Sequence, residues 1–196
     1  SLVDASAVFD TIYENDTVSW NAMIATFAQC GKSAHSISLW EKMICEGFTP
    51  DKVTFVSLID ACAKQMALIE GIRLHACVHV LRYDRDIVIG TALVSMYGKC
   101  GSIREAEHSF NSCRGSLNIV TWNAMISANI DLGRSENALI LYIQMQQDGF
   151  TPDQPTFMAM LHACSIFTTN EQPIPTPSGQ CVKVKSLEIA HSLHVD

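Results

Sequence analysis

The sequence lacks an apolar run of about 18 residues, the length at which a helix can cross a membrane, so no membrane contact is expected. Basic residues are also few: 13 Lys and Arg stand against 20 Asp and Glu, which gives a formal net charge of −7. This balance argues against a protein that binds nucleic acids through bulk positive charge, but it permits one that reads bases from a lined groove. With 48% hydrophobic residues, the chain is too apolar to be disordered.

The eight cysteines form neither a zinc pattern nor a disulfide pattern, because no C-x-x-C spacing occurs. Cys30 and Cys100 occupy one position of the repeat described below, and Cys62 and Cys164 occupy another. We predict that these are reduced packing residues, which favours an intracellular or organellar compartment. No nucleophile and base stand in a recognisable catalytic context, so we expect no catalytic site, no metal, no cofactor and no small-molecule substrate.

The sequence does contain a repeat. VSWNAMI at residues 18–24 returns as VTWNAMI at residues 120–126, and GFTPD at 47–51 returns at 149–153 with the same offset of 102 residues. TF--LIDAC from Thr54 returns at that offset as TF--MLHAC from Thr156. Matches at one fixed offset indicate a repeat architecture.

Smaller units fill this long repeat. Residues 1–16 are the end of one unit, and four units follow at 17–51, 52–86, 87–118 and 119–153. Residues 154–167 begin another unit, and residues 168–186 carry three of the six prolines and are predicted to be an irregular insertion. Residues 187–196 are interpreted as the remnant of a second helix.

Each unit is predicted to form two helices. In 17–51 the first apolar stripe has helical spacing, and a second stripe follows Gly31: Trp20, Met23, Ile24 and Phe27, then Ile37, Trp40, Met43 and Ile44. Gly31, Gly101 and Gly133 each end a first helix, where a left-handed turn is expected. A lone hairpin cannot bury both stripes, so we predict an all-α solenoid of stacked helix-turn-helix hairpins.

These residues resemble the pentatricopeptide repeat. VSWNAMI---AQCGK followed by LW-KM--EGFTPD is similar to its P-type motif, VTFVSLIDACAK---LIEGIRLHACV to its L-type motif, and VIGTALVSMYGKCGSIREAEHSF to its S-type motif. By this resemblance units 17–51 and 119–153 are P-type, 52–86 is L-type, 87–118 is S-type, residues 1–16 end an S-type unit and residues 154–167 begin an L-type unit. The order of the motifs over residues 1–167 resembles the PLS subclass of plant organellar RNA-binding proteins. The resemblance implies a right-handed superhelical solenoid that binds single-stranded RNA and guides editing or processing in a mitochondrion or chloroplast. It also implies partners among other organellar RNA editing or processing proteins.

The resemblance further implies that the fifth and last residues of a unit read one base. The implied pairs are Asn21 with Asp51, Thr91 with Asn118, and Asn123 with Asp153; weaker readers are Val56 with Asp86, and Asp16, which ends the first partial unit. In the family, Asn with Asp favours uracil, Thr with Asn favours adenine, and Thr with Asp favours guanine. The implied reading is roughly U-any-A-U.

Two further roles follow from the same resemblance. The second residue of each unit is an aliphatic wedge that holds a base by its faces, and here it is Val18, Val53, Val88 or Val120. Lys64 and Lys99 end their first helices, where phosphate contact is expected. The chain begins at Ser1 without a recognisable leader, so we expect a piece of a longer protein whose transit peptide lies outside it.

Three alternatives stay open at this point. Asn21 and Asn123 could be helix N-caps, and Asp51 and Asp153 could cap the following helices. The solenoid could bind a protein instead of RNA, although a lining of Asn, Thr, Asp and Val is more typical of RNA readers. The chain could also be a degenerate fragment without function.

Overall fold

Helices dominate the described part of the chain. The structure is a computed structural model that describes residues 9, 16–170, 174–175 and 181–182. The helices are α1 Thr17–Gln29, α2 Ser33–Cys45, α3 Lys52–Gln65, α4 Leu68–Val80, α5 Ile87–Lys99, α6 Ile103–Ser112, α7 Ile119–Asp131, α8 Ser135–Gln147 and α9 Gln154–Asn170. Two short strands, β1 Ile174–Pro175 and β2 Cys181–Val182, pair antiparallel. The remainders of the predicted segments 1–16, 168–186 and 187–196 lie outside the described residues.

The chain divides into two compact units, Ser1–Leu117 and Asn118–Asp196. In the first, α1 pairs with α2, α3 with α4, and α5 with α6, and the first helices α1, α3 and α5 pack side by side. In the second, α7 pairs with α8, and α9 packs against both. Within each of these two compact units, the first helix of one hairpin therefore packs against the first helix of the previous hairpin. None of the described helices is both long enough and apolar enough to span a bilayer.

Each first helix from α1 to α7 begins at an Asp or Asn whose side chain accepts a hydrogen bond from the first turn. The caps are Asp16, Asp51, Asp86 and Asn118. Asp51 and Thr54 form a reciprocal capping box, in which each side chain accepts from the other residue's backbone N–H. The second helices α2, α4, α6 and α8 start without a side-chain cap. A side-chain cap therefore defines the start of each of these first helices, but not the starts of the second helices.

The predicted glycine turns are confirmed, since Gly31, Gly101 and Gly133 have φ of 70°, 77° and 70°. The L-type unit differs, because Met66 and Arg82 take the left-handed conformation at φ of 53° and 63°. These two residues stand where the preceding unit has Gly31 and Gly47. The repeat geometry is therefore kept there at the cost of backbone strain.

The core repeats with the sequence. Trp20 and Trp122 are buried, and each lies beside the aromatic ring that follows its second helix, Phe48 at 6.2 Å and Phe150 at 6.4 Å between centroids. The packing interpretation of the cysteines holds for Cys62, which is fully buried and whose pKa is raised by that burial to about 12. It is wrong for Cys30, which lies just past the end of α1 and is exposed.

Candidate nucleic-acid interface

A hydrogen-bonded group joins the fifth residue of the first P-type unit to the residue that ends it. The Asn21 Nδ2 lies 3.0 Å from both carboxylate oxygens of Asp51. The Asn21 Oδ1 accepts from the Thr54 hydroxyl at 2.5 Å, and the Thr54 N–H donates to Asp51 Oδ1 at 3.0 Å. Asn21 is 8% exposed and Thr54 is fully buried. The two predicted base-reading residues of this unit therefore lie in direct contact, held by a third residue on α3.

The same group occurs in the second P-type unit. The Asn123 Nδ2 donates to Asp153 Oδ1 at 2.8 Å, and the Thr156 hydroxyl donates to Asn123 Oδ1 at 2.6 Å. The Thr156 N–H and the Asn123 amide both converge on Oδ1 of Asp153, so Oδ2 lies outside this network. Asn21 and Asn123 lie inside α1 and α7, so the alternative that they are helix caps is wrong. The caps of those helices are Asp16 and Asn118.

Hydrogen bonds keep both carboxylates ionised. For Asp51, burial by itself would raise the pKa, but the bonds from Thr54 and Asn21 outweigh burial and the pKa is lowered. For Asp153, the Thr156 hydroxyl and N–H lower the pKa, with Asn123 contributing. Each P-type unit therefore presents a charged acceptor next to an amide donor.

The L-type unit has a different arrangement. Asp86 caps α5, and one of its oxygens lies 2.8 Å from Lys52 Nζ. Burial opposes ionisation of Asp86, but the bonds from Lys52 and the backbone outweigh it and the pKa is lowered. Val56 is half-buried and offers no polar atom. The lysine, rather than the fifth residue, is thus the side chain that Asp86 contacts.

The remaining residues that are predicted to read bases make hydrogen bonds within their own helices. Thr91 lies on α5 and donates its hydroxyl to the Ile87 carbonyl at 2.7 Å. Asn118 begins the second compact unit, and its Oδ1 accepts from the Thr121 N–H at 3.0 Å. Asp16 accepts from the N–H and hydroxyl of Ser19 at 2.7 Å each. All three are therefore in local contacts of their own helices.

The four predicted wedge valines are all exposed. The exposed fractions are 72% for Val18, 56% for Val53, 44% for Val88 and 58% for Val120. Each lies in the first turn of its helix, three residues before the fifth residue of its unit, and residues with this spacing share a helix face. An apolar side chain is thus exposed beside each position predicted to read a base.

The predicted phosphate contacts are exposed, but one is already paired. Lys64 Nζ lies 2.7 Å from Asp60 Oδ2 one turn earlier on α3. Lys99 is the last residue of α5 and is exposed.

Sequence reasoning assigned no role to Thr54, Thr156 or Lys52. The two threonines were visible as the first residue of the repeated TF motif, at the same offset as the asparagines. Their hydroxyls contact residues about 30 positions away, so periodicity alone could not assign them.

Two family models match the helical part of the chain. The family model described as "PPR repeat family" matches residues 15–64 and 117–165, and the model described as "PPR repeat" matches residues 91–115.

Similar proteins come from Arabidopsis thaliana. A mitochondrial pentatricopeptide repeat-containing protein is 36% identical over 162 residues, which cover 83% of this chain and 25% of that protein. A chloroplastic one is 32% identical over 165 residues, which cover 84% of this chain and 20% of that protein. The chain thus spans a fifth to a quarter of the length of these relatives.

A solved structure has the same fold. The crystal structure of the pentatricopeptide repeat protein PPR10 in complex with an 18-nt psaJ RNA element matches with a TM-score of 0.76 and 18% identity. The match covers 98% of this chain and 27% of that one. The predicted all-α solenoid class of stacked hairpins is thereby confirmed.

Proposed function

Because the chain belongs to the pentatricopeptide repeat family, we propose that it binds single-stranded RNA sequence-selectively, at about one base per repeat. In this proposal it guides an organellar editing or processing factor to its transcript and itself contributes no chemistry. The solved relative PPR10 is in complex with RNA, which supports the choice of ligand. The relatives named mitochondrial and chloroplastic support an organellar location, where other RNA editing or processing proteins would be its partners.

One observation carries the proposal. In both P-type units an amide donor and a carboxylate acceptor lie in contact, and an exposed valine lies one turn before the amide. A Watson–Crick edge needs neighbouring donors and acceptors, and a base face needs an apolar surface. This arrangement supplies both without bulk positive charge, which suits a chain of net charge −7.

The proposed reading is roughly U-any-A-U. Asn21 with Asp51 and Asn123 with Asp153 would each select uracil, and Thr91 with Asn118 would select adenine. Val56 offers no hydrogen bond and Asp86 is paired with Lys52, so the second base would be weakly selected.

A change at Asn118 tests base reading directly. Short single-stranded RNAs containing UNAU or UNGU would be titrated at fixed low salt into the 196-residue chain and into its Asn118→Asp variant. Asp is as good a helix cap as Asn, so α7 keeps its start. We expect the preference to move from adenine to guanine.

The control variant is Asn111→Asp, which makes the same change at an exposed position of α6. It should weaken both complexes equally and leave the preference for adenine. A wild-type chain that binds neither RNA, or binds both equally and is unaffected by Asn118→Asp, would contradict the proposal. That result would point to a protein ligand.

A further inference from the structure

We propose that Thr54 and Thr156 are positioning residues that fix the orientation of the Asn21 and Asn123 amides and so set which base each P-type unit selects. The inference rests on the proposed RNA-reading function and assigns a role to residues outside the implied base-reading pairs. Each threonine is the third residue of the following unit and lies in the first turn of its helix.

The amide is held from both ends. Its nitrogen faces the carboxylate, at 3.0 Å in the first P-type unit and 2.8 Å in the second. Its oxygen faces the threonine hydroxyl, at 2.5 Å and 2.6 Å. The hydroxyl in turn accepts from the backbone N–H of the aspartate, at 3.0 Å in one unit and 3.2 Å in the other. With its acceptor side engaged in this way, the hydroxyl has one proton to donate, and it faces both the amide oxygen and Oδ1 of the aspartate, the latter at 3.1 Å in the first unit and 2.7 Å in the second.

This orientation decides which atoms remain for a base. An amide nitrogen carries two protons, and a carboxylate can accept at both oxygens. The fixed amide therefore offers its second N–H as a donor. The carboxylate offers Oδ2 as a neighbouring acceptor: in the second unit Oδ2 lies outside the network, and in the first it can accept a second bond beside the one from Asn21. Uracil complements this pair with its O4 acceptor and the adjacent N3–H donor. An amide turned the other way would offer its oxygen, which suits the amino groups of cytosine and adenine.

Without the Thr54 hydroxyl, the Asn21 side-chain amide is expected to rotate. Asn21 is 8% exposed, so its oxygen would be left buried without a donor. A buried acceptor without a partner is destabilised, and rotation of the side chain towards solvent relieves this. The contact between Nδ2 and Asp51 would be lost in the same movement.

The chain contains an internal comparison. The units with Asn at the fifth position are followed by Thr54 and Thr156, whereas the unit with Val56 is followed by Ile89, which is fully buried and has no hydroxyl. The aspartate between them, Asp86, is contacted by Lys52 instead. Thr121 also holds this third position, after the unit whose fifth residue is Thr91, so the threonine follows the units with a polar fifth residue and is absent after the apolar Val56.

The experiment uses the full chain with Thr54→Val, Thr54→Ser and Thr156→Val. Short RNAs that differ only at the first or only at the fourth base of UNAU would be titrated into each protein. We expect Thr54→Val to reduce the preference for uracil over cytosine at the first base from about tenfold to about twofold, the loss of one hydrogen bond. The fourth base should be unaffected. Thr156→Val should do the reverse, and Thr54→Ser should restore selection.

A second measurement follows the amide without RNA. The side-chain amide protons of Asn21 should exchange slowly in the wild type and in Thr54→Ser, and faster in Thr54→Val. A purely structural role for Thr54 would weaken binding to every RNA equally, and this result would overturn the positioning role. So would unchanged selection and unchanged exchange in Thr54→Val. A wild type without any base preference overturns the proposed function and the positioning role together.

Discussion

Asn21 and Asp51 are 30 residues apart in the chain, yet the amide nitrogen of the first lies 3.0 Å from both carboxylate oxygens of the second. The same relationship joins Asn123 to Asp153 at 2.8 Å. In each case the aspartate precedes the next first helix, and the asparagine lies on the previous one. The stacking of first helices is therefore what brings the two side chains together.

The first prediction concerns the coupling of this pair. Asp51→Ala should destabilise the chain by about 1–2 kcal/mol, because it removes the cap of α3, and Asn21→Ala by about 1 kcal/mol. The double variant should lose less than the sum, by about 1 kcal/mol, since the bond between them can be lost only once. Urea unfolding followed by circular dichroism measures all three. Additive effects would mean that the contact contributes nothing to stability.

The second prediction concerns acid. Asp51, Asp86 and Asp153 have lowered pKa values, so their contribution to stability is fully present above the unfolded pKa near 3.8. It is lost as the pH falls through the lower folded values, because the unfolded state binds protons first. The thermal midpoint should therefore begin to drop as the pH approaches the unfolded value, and it should continue to drop towards the lower folded values. Asp51→Ser keeps a neutral cap and should show a smaller drop; an equal drop would rule Asp51 out as a contributor.

The third prediction separates RNA contact from folding. Val18→Ala and Val120→Ala remove exposed methyl groups, so the free energy of unfolding should change by less than about 0.5 kcal/mol. The affinity for UNAU RNA should fall about fivefold, because the lost apolar contact with the base contributes roughly 1 kcal/mol to binding. The control is Ile140→Ala on α8, a second helix, where the side chain is 53% exposed. An equal loss of affinity in the control would show that these valines are not the contact surface.

The fourth prediction is a gain of selectivity in the L-type unit. Val56→Asn alone should add little preference at the second base, because Ile89 cannot hold the new amide. Val56→Asn with Ile89→Thr should create a preference for uracil of about threefold to tenfold. The double variant should also lose about 1–2 kcal/mol of stability, since Ile89 is fully buried. RNA titration with the second base varied is the measurement, and equal behaviour of the single and double variants would contradict it.

The fifth prediction concerns the strained turns of the L-type unit. Met66 has φ of 53° and is 70% exposed, so Met66→Gly relieves strain and loses little packing. We expect the free energy of unfolding to rise by about 0.5–1 kcal/mol. This is the strain energy that glycine relieves in the folded state, minus the entropy cost of ordering a more flexible residue. Gly31→Ala, at φ of 70°, is the opposite change and should destabilise the chain. Thermal unfolding of both variants is the measurement, and a lower stability of Met66→Gly would show that the backbone at Met66 is not strained.

Local features of the fold could be read from the residues. The stripe of Trp20, Met23, Ile24 and Phe27 predicts α1, and all four side chains are buried. Gly31 predicts its left-handed end, because the preference depends on one residue's own backbone. The apolar period fixes the helices in the same way, since it depends only on spacing along the chain. By contrast, the repeat position of Cys30 predicts a packing residue, and this prediction is wrong, because spacing along the chain does not determine the exposure of a residue just past a helix end.

The sequence by itself determined the two-helix period, the turn glycines, the positions of the repeated Asn and Asp and, through their resemblance, the family. Only the tertiary structure decided that Asn21 contacts Asp51, that Thr54 holds the other end of the amide, and that Asp86 pairs with Lys52. Those contacts join side chains 30 or more residues apart, and they exist because α1, α3 and α5 pack side by side. A periodic pattern specifies which face of a helix is buried, but packing decides which polar atoms on neighbouring helices meet.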